Sequence, residues 1–115
     1  MIEIPVFQNN SADFTQDIIL EGIVIGIRIV FNIRNEHFHI TLSVENEIIY
    51  GLKMVTNFPL LFQHKAQMSK ISGDFIILNA DETSAELTYN NLGSSWKLYY
   101  ITDSELDTWK IENGF

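Results

Sequence analysis

Between positions 23 and 34 every odd residue is large and apolar: Ile23, Ile25, Ile27, Ile29, Phe31 and Ile33. The even positions are mixed, running Val24, Gly26, Arg28, Val30, Asn32 and Arg34. Successive Cβ atoms of a strand point to opposite sides, so a period of two gathers the six apolar side chains on one face. A helix would scatter them around its circumference. The segment is predicted to be a long strand with one greasy face, and that face needs other strands to cover it.

Neighbouring segments supply the cover. Residues 37–45 alternate with opposite parity, with Phe38, Ile40, Leu42 and Val44 on one side and His37, His39, Thr41, Ser43 and Glu45 on the other. With turns at Asn35-Glu36 and Asn46-Glu47, residues 23–34, 37–45 and 48–57 are expected to form an antiparallel meander. A strand at 14–20 enters it through Glu21-Gly22. Residues 2–7 contain Pro5, which cannot donate to a central ladder, so they are placed at a sheet edge. Phe75-Ile76-Ile77-Leu78 and residues 96–101 read as further strands, and Leu87 with Tyr89 as a short edge strand.

Thr102-Asp103-Ser104-Glu105 has the spacing of a capping box, and Leu106 and Trp109 follow three apart, so one or two helical turns are expected there. Seventeen isoleucines among 115 residues suit a pleated surface. The fold class is all-β, a small antiparallel β-barrel or sandwich of about seven strands. Residues 1–103 are expected to form one such domain, with 104–115 a C-terminal tail or short helix.

Charge and composition narrow the function. Fifteen acids against seven Lys and Arg give a net charge of −8, a field that repels phosphate backbones and argues against direct nucleic-acid binding. The absence of cysteine excludes disulfides, thiolate catalysis and Cys-based zinc sites. Glu21 and Arg28 interrupt the best apolar stretch well short of the roughly 18–20 residues a membrane span needs. The start of the chain carries Glu3, Asp13 and Asp17 and no basic residue, unlike a secretory signal. A soluble protein is expected.

Few residues carry chemistry. His37 and His39, two apart on a strand, project to one face in the manner of a metal-binding pair, with Glu45 downstream. The cupin spacing is off by a residue, however, and the partner segment with a further histidine is missing. No metal or other cofactor is expected. Ser94-Ser95 after Gly93 is turn chemistry, and Asp81-Glu82 and Asp103/Glu105 are loop or cap acids, so no catalytic residue is assigned. The apolar knot Phe58-Pro59-Leu60-Leu61-Phe62 has no assignable period. It folds over an open end of the β structure, or presents Phe58, Leu60, Leu61 and Phe62 to a partner protein, with Trp109 in the same position of choice.

The order of segments resembles the baseplate plug proteins of contractile-tailed bacteriophages. The residues that carry the resemblance are Ile2-Glu3-Ile4-Pro5, the strand at 23–34, the hairpin through Phe38, Val44 and Ile48, and the knot at 58–61. Its strongest part is Gly73-Asp74-Phe75-Ile76-Ile77-Leu78-Asn79, then an acidic loop, then Asn91-Leu92-Gly93 leading into Leu98-Tyr99-Tyr100-Ile101. Asn79 and Asn90 or Asn91 stand where members of the family carry acids. The resemblance spans nearly all of residues 1–103. It implies a non-enzymatic virion protein, made in the host cytoplasm, that occludes the distal end of the tail tube and contacts baseplate hub or tail-tube proteins, as one copy or a homo-oligomer. The competing expectation is a small-ligand or carbohydrate-binding β module that stacks its ligand on Trp96, Tyr99 and Tyr100.

Overall fold

The computed structural model describes residues 1–6, 12–64, 68, 70–80 and 86–115. Strands β1 (Ile2–Ile4), β2 (Asp13–Leu20), β3 (Ile23–Asn32), β4 (His37–Val44), β5 (Glu47–Lys53), β6 (Asp74–Asn79) and β7 (Trp96–Ile101) precede helix α1 (Asp103–Glu112). They form two antiparallel sheets, one ordered β2-β3-β4-β5 and one β1-β7-β6. The sheets do not close on each other, so of the two expected architectures the sandwich is the one that forms.

The four-stranded sheet follows from the alternation. Ile25, Ile27 and Ile29 pair with Val44, Leu42 and Ile40, and Phe31 pairs with Phe38, so every apolar residue of this set falls on one face. Phe14, Ile18 and Leu20 of β2 extend that face through Ile29, Ile25 and Ile23. Glu21 and Gly22, both at positive φ, make the two-residue hairpin turn whose twist matches the flanking strands. The turn after β4 is Glu45-Asn46, one residue earlier than the sequence suggested, and Glu47 already belongs to β5. β5 is also shorter than the expected 48–57. A bulge opposite Ile40 and Leu42, with Gly51 at φ +60, bends it, and the last bond on this path is Met54 N–H to the Phe38 carbonyl.

The opposing face comes from Ile4, Phe75, Ile77, Leu98 and Tyr100, which join Ile25, Ile27, Ile29, Phe38, Ile40 and Leu42 in one core. Beyond it, Ile76 and Ile101 point the other way and pack on Leu106, with Tyr99 and Trp109 around them. The molecule is thus three layers deep: four strands, three strands and a helix. β1 is an edge strand paired only to β7, as Pro5 requires, but it ends at Ile4; Phe7 and the following loop to Ser11 lie outside the described residues.

The apolar knot covers the outer edge of β6. Asn57 N–H donates to the Ile77 carbonyl and Leu60 N–H to the Phe75 carbonyl, each at 2.8 Å. Leu61 N–H donates to Oδ1 of Asp74 at 2.7 Å, and Phe75 N–H reaches the same oxygen at 2.7 Å. Asp74 is fully buried, and these two bonds to one of its carboxyl oxygens fix the knot against the strand. Gly73 precedes it because a Cβ there would sit 2.1 Å from the Ile101 carbonyl and 2.5 Å from the Tyr100 hydroxyl. Leu87 and Tyr89 do not form the expected edge strand. Their segment is a turn, in which the Asn91 side chain accepts from Thr88 N–H and donates to the Glu86 carbonyl, both at 2.7 Å.

One polar knot ties the two sheets together. The Tyr100 hydroxyl donates to Oε2 of Glu21 at 2.7 Å and accepts from Gly73 N–H at 3.0 Å, while Ser72 Oγ donates to Oε1 of Glu21 at 2.9 Å. Burial first, and then the hydrogen bond and charge of Glu21, push the Tyr100 phenol up to about 12. Between pH 10 and 12 the unfolded chain has lost this proton and the folded chain still holds it, so stability is intact below pH 10 and falls as pH rises through that window. Urea titrations across pH 9–12 are expected to show a steeper loss for the native chain than for Tyr100→Phe; identical slopes would contradict the assignment.

Candidate partner interface

Helix α1 is built by local rules. Thr102 caps it: its hydroxyl accepts from Glu105 N–H, and the Glu105 carboxylate accepts in return from Thr102 N–H at 3.0 Å. The Met1 amine, and then the Thr102 backbone amide, lower the Glu105 carboxyl below its ordinary range. The helix runs ten residues, longer than the one or two turns expected, because Trp109 meets a partner surface beyond Leu106.

That surface is the knot. Phe58 and Phe62 lie edge-to-face at 5.5 Å, and Trp109 stands edge-on to both, at 5.5 Å from Phe58 and 6.2 Å from Phe62. Phe115 completes the group, stacked on Trp109 at 5.4 Å and edge-on to Phe62 at 5.2 Å. Lys110 places its ammonium 5.7 Å from the Phe62 ring centre. Such pairs add roughly 0.5–1.5 kcal/mol each beyond area burial. Phe58, Phe62 and Trp109 are half-buried, Phe115 is 62% exposed, and Ile111 beside it is 79% exposed.

The five residues singled out from sequence therefore divide. Leu60 and Leu61 point into the core and are buried, whereas Phe58, Phe62 and Trp109 come together at an outer corner. Phe115 was missed, although a signal for it existed. Gly114 at φ +80 lets Phe115 N–H donate to the Lys110 carbonyl and Gly114 N–H to the Ile111 carbonyl, the two bonds of a Schellman motif. That motif folds the residue after the glycine back onto the last turn, here onto Trp109.

The other sequence candidates sit elsewhere. His37 and His39 lie on the outer face of the four-stranded sheet, with Asn32 opposite His37 and Lys53 opposite His39. Among the described residues, no group of three or more His, Cys, Asp or Glu is placed to hold a metal ion. Trp96 and Tyr100 are buried in the core, and Tyr99 packs toward α1, so this trio offers no stacking platform. Arg28 and Asp13 form a bidentate pair at 2.6 and 3.0 Å on the exposed sheet face, which lowers the Asp13 carboxyl and raises the guanidinium. Among the described residues, no helix is long and apolar enough to cross a membrane.

The fold and this corner describe a layered β-sandwich protein with a cluster of four aromatic rings at one outer corner. Residues 1–104 match the family described as cyanophage baseplate Pam3 plug gp18, and the chain belongs to that family. It is a structural component of a phage baseplate, associated with the virion and with other baseplate proteins. No curated protein matches the chain. The match ends near the helix cap, so most of α1 and the Trp109–Phe115 stack lie beyond it.

The aromatic corner depends on the left-handed turn at Gly114. Gly114→Ala is expected to cost about 1–2 kcal/mol locally and to change Trp109 fluorescence, with the β-sheet circular dichroism unchanged. An unaltered tryptophan spectrum would contradict the link between the turn and the stack.

Proposed function

We propose that this chain is the plug of its baseplate: a non-enzymatic part that occludes the distal end of the tail tube until contraction. The family match over residues 1–104 is the observation that carries this reading. The physical build supports it. The molecule measures 33 × 32 × 23 Å with a radius of gyration of 13.7 Å, a size suited to obstructing a bore that passes duplex DNA. Its charge of −8 suits a surface that faces nucleic acid without binding it.

An occluding part must be rigid and must also let go. Rigidity comes from the three-layer packing and from Glu21, whose bonds to Ser72 and Tyr100 join the sheets. Release calls for a modest interface with a few anchors in place of an extensive apolar one. The corner of Phe58, Phe62 and Trp109, extended by Phe115, is the proposed anchor toward hub or tail-tube proteins, since aromatic residues concentrate where binding energy does.

Cryo-electron microscopy of tails assembled with Trp109→Ala/Phe62→Ala protein tests both parts of the reading. Native tails are expected to carry density for this chain on the axis at the distal end, with the double variant reducing its occupancy severalfold. Native density found off the axis, at fibres or the tail periphery, would contradict the plug assignment. Axial density at full occupancy in the variant would contradict the anchor alone.

A further inference from the structure

At the end of the sandwich away from the Glu21–Tyr100 tie, the turn after β3 faces the loop at 86–90 across an open cleft of about 640 Å³. Phe31, Ile33, Leu87 and Tyr89 give it an apolar patch, with Phe31 and Tyr89 edge-to-face at 5.1 Å, and Asn35, Glu36, His37, Glu86, Thr88 and Asn90 form its polar margins. Ile33, expected to continue the strand, lies in the turn just after β3 and is 77% exposed at the cleft. The loop wall is held in shape from within, because the Asn91 amide bonds both Thr88 N–H and the Glu86 carbonyl. A second cleft of about 650 Å³ adjoins it and shares Glu36, His37, Glu86 and Leu87, so the two run on as one groove.

Charge decides what such a groove takes. Glu36 and Glu86, both exposed, flank the apolar patch; among the described residues no lysine or arginine lines the first cleft, and Lys53 lines the second. The whole chain carries −8, so its net field disfavours the approach of anionic ligands. The volume lies within the usual range of roughly 300–1,000 Å³ for ligand sites. The geometry points to a peptide-docking groove for a partner protein segment that inserts an apolar or aromatic side chain over Phe31, Leu87 and Tyr89 and sets Lys or Arg against Glu36 and Glu86. This inference stands apart from the aromatic corner and does not require the plug assignment. It gives the chain a second contact surface, selective for cationic segments.

The test uses the full chain, isotopically labelled, titrated by NMR with acetyl-Lys-Leu-Phe-Arg-amide and, as a control, acetyl-Glu-Leu-Phe-Glu-amide. The cationic peptide is expected to shift amide resonances at positions 31–37 and 86–90, and the anionic peptide to leave them in place. Glu36→Gln/Glu86→Gln replaces two exposed carboxylates and is expected to weaken binding about three- to tenfold, with the melting temperature unchanged. Equal response to both peptides, equal affinity in the double variant, shifts centred on Trp109, or no shift at millimolar peptide would each overturn the proposal.

Discussion

Phe75 and Ile77 point into the sandwich, while Ile76 between them meets Leu106 of α1 on the far side. β6 is therefore buried on both faces, each of these side chains contributing roughly 1.5–3 kcal/mol by leaving water. The consequences spread outward. A strand with two apolar faces needs two covering layers, supplied by the four-stranded sheet and by the helix. Its outer edge needs a cover too, and residues 57–61 provide one through two backbone bonds and the Asp74 carboxylate. The knot that covers this edge is the same segment that carries Phe58 and Phe62, so the aromatic corner is anchored directly to the centre of the fold.

Much of this was legible in the sequence because it is local. The alternation of Ile25, Ile27 and Ile29 against Ile40, Leu42 and Val44 set the faces of the meander and the order of its strands, but the register differs: Asn32 pairs with His37, and residues 33–36 make the turn in place of Asn35-Glu36 alone. The apolar run from Phe75 to Leu78 falls within β6, and β7 occupies the expected residues 96–101. The capping box at Thr102 is where its spacing put it.

What escaped the sequence depends on contacts distant along the chain. The knot has no period because three separated hydrogen bonds to β6 shape it, burying Pro59 and turning Leu60 and Leu61 into the core. Tyr89 looked like a strand residue, yet it is held beside Phe31 by a turn that Asn91 organises. Trp109 sits 51 positions from Phe58, so neither residue alone reveals their contact. The split of the five candidate contact residues into a buried pair and a half-buried trio could not be seen without the fold.

Rigidity joins the architecture to the proposed role, because a part that blocks a conduit must not come apart by layers. Native-state hydrogen exchange measures this most directly. The account predicts that protected amides of β6 and β7 exchange with the same free energy as those of β3 and β4, both sheets opening only in global unfolding. Exchange of β6 and β7 at a free energy several kcal/mol lower would show that the sheets separate independently, and would contradict it.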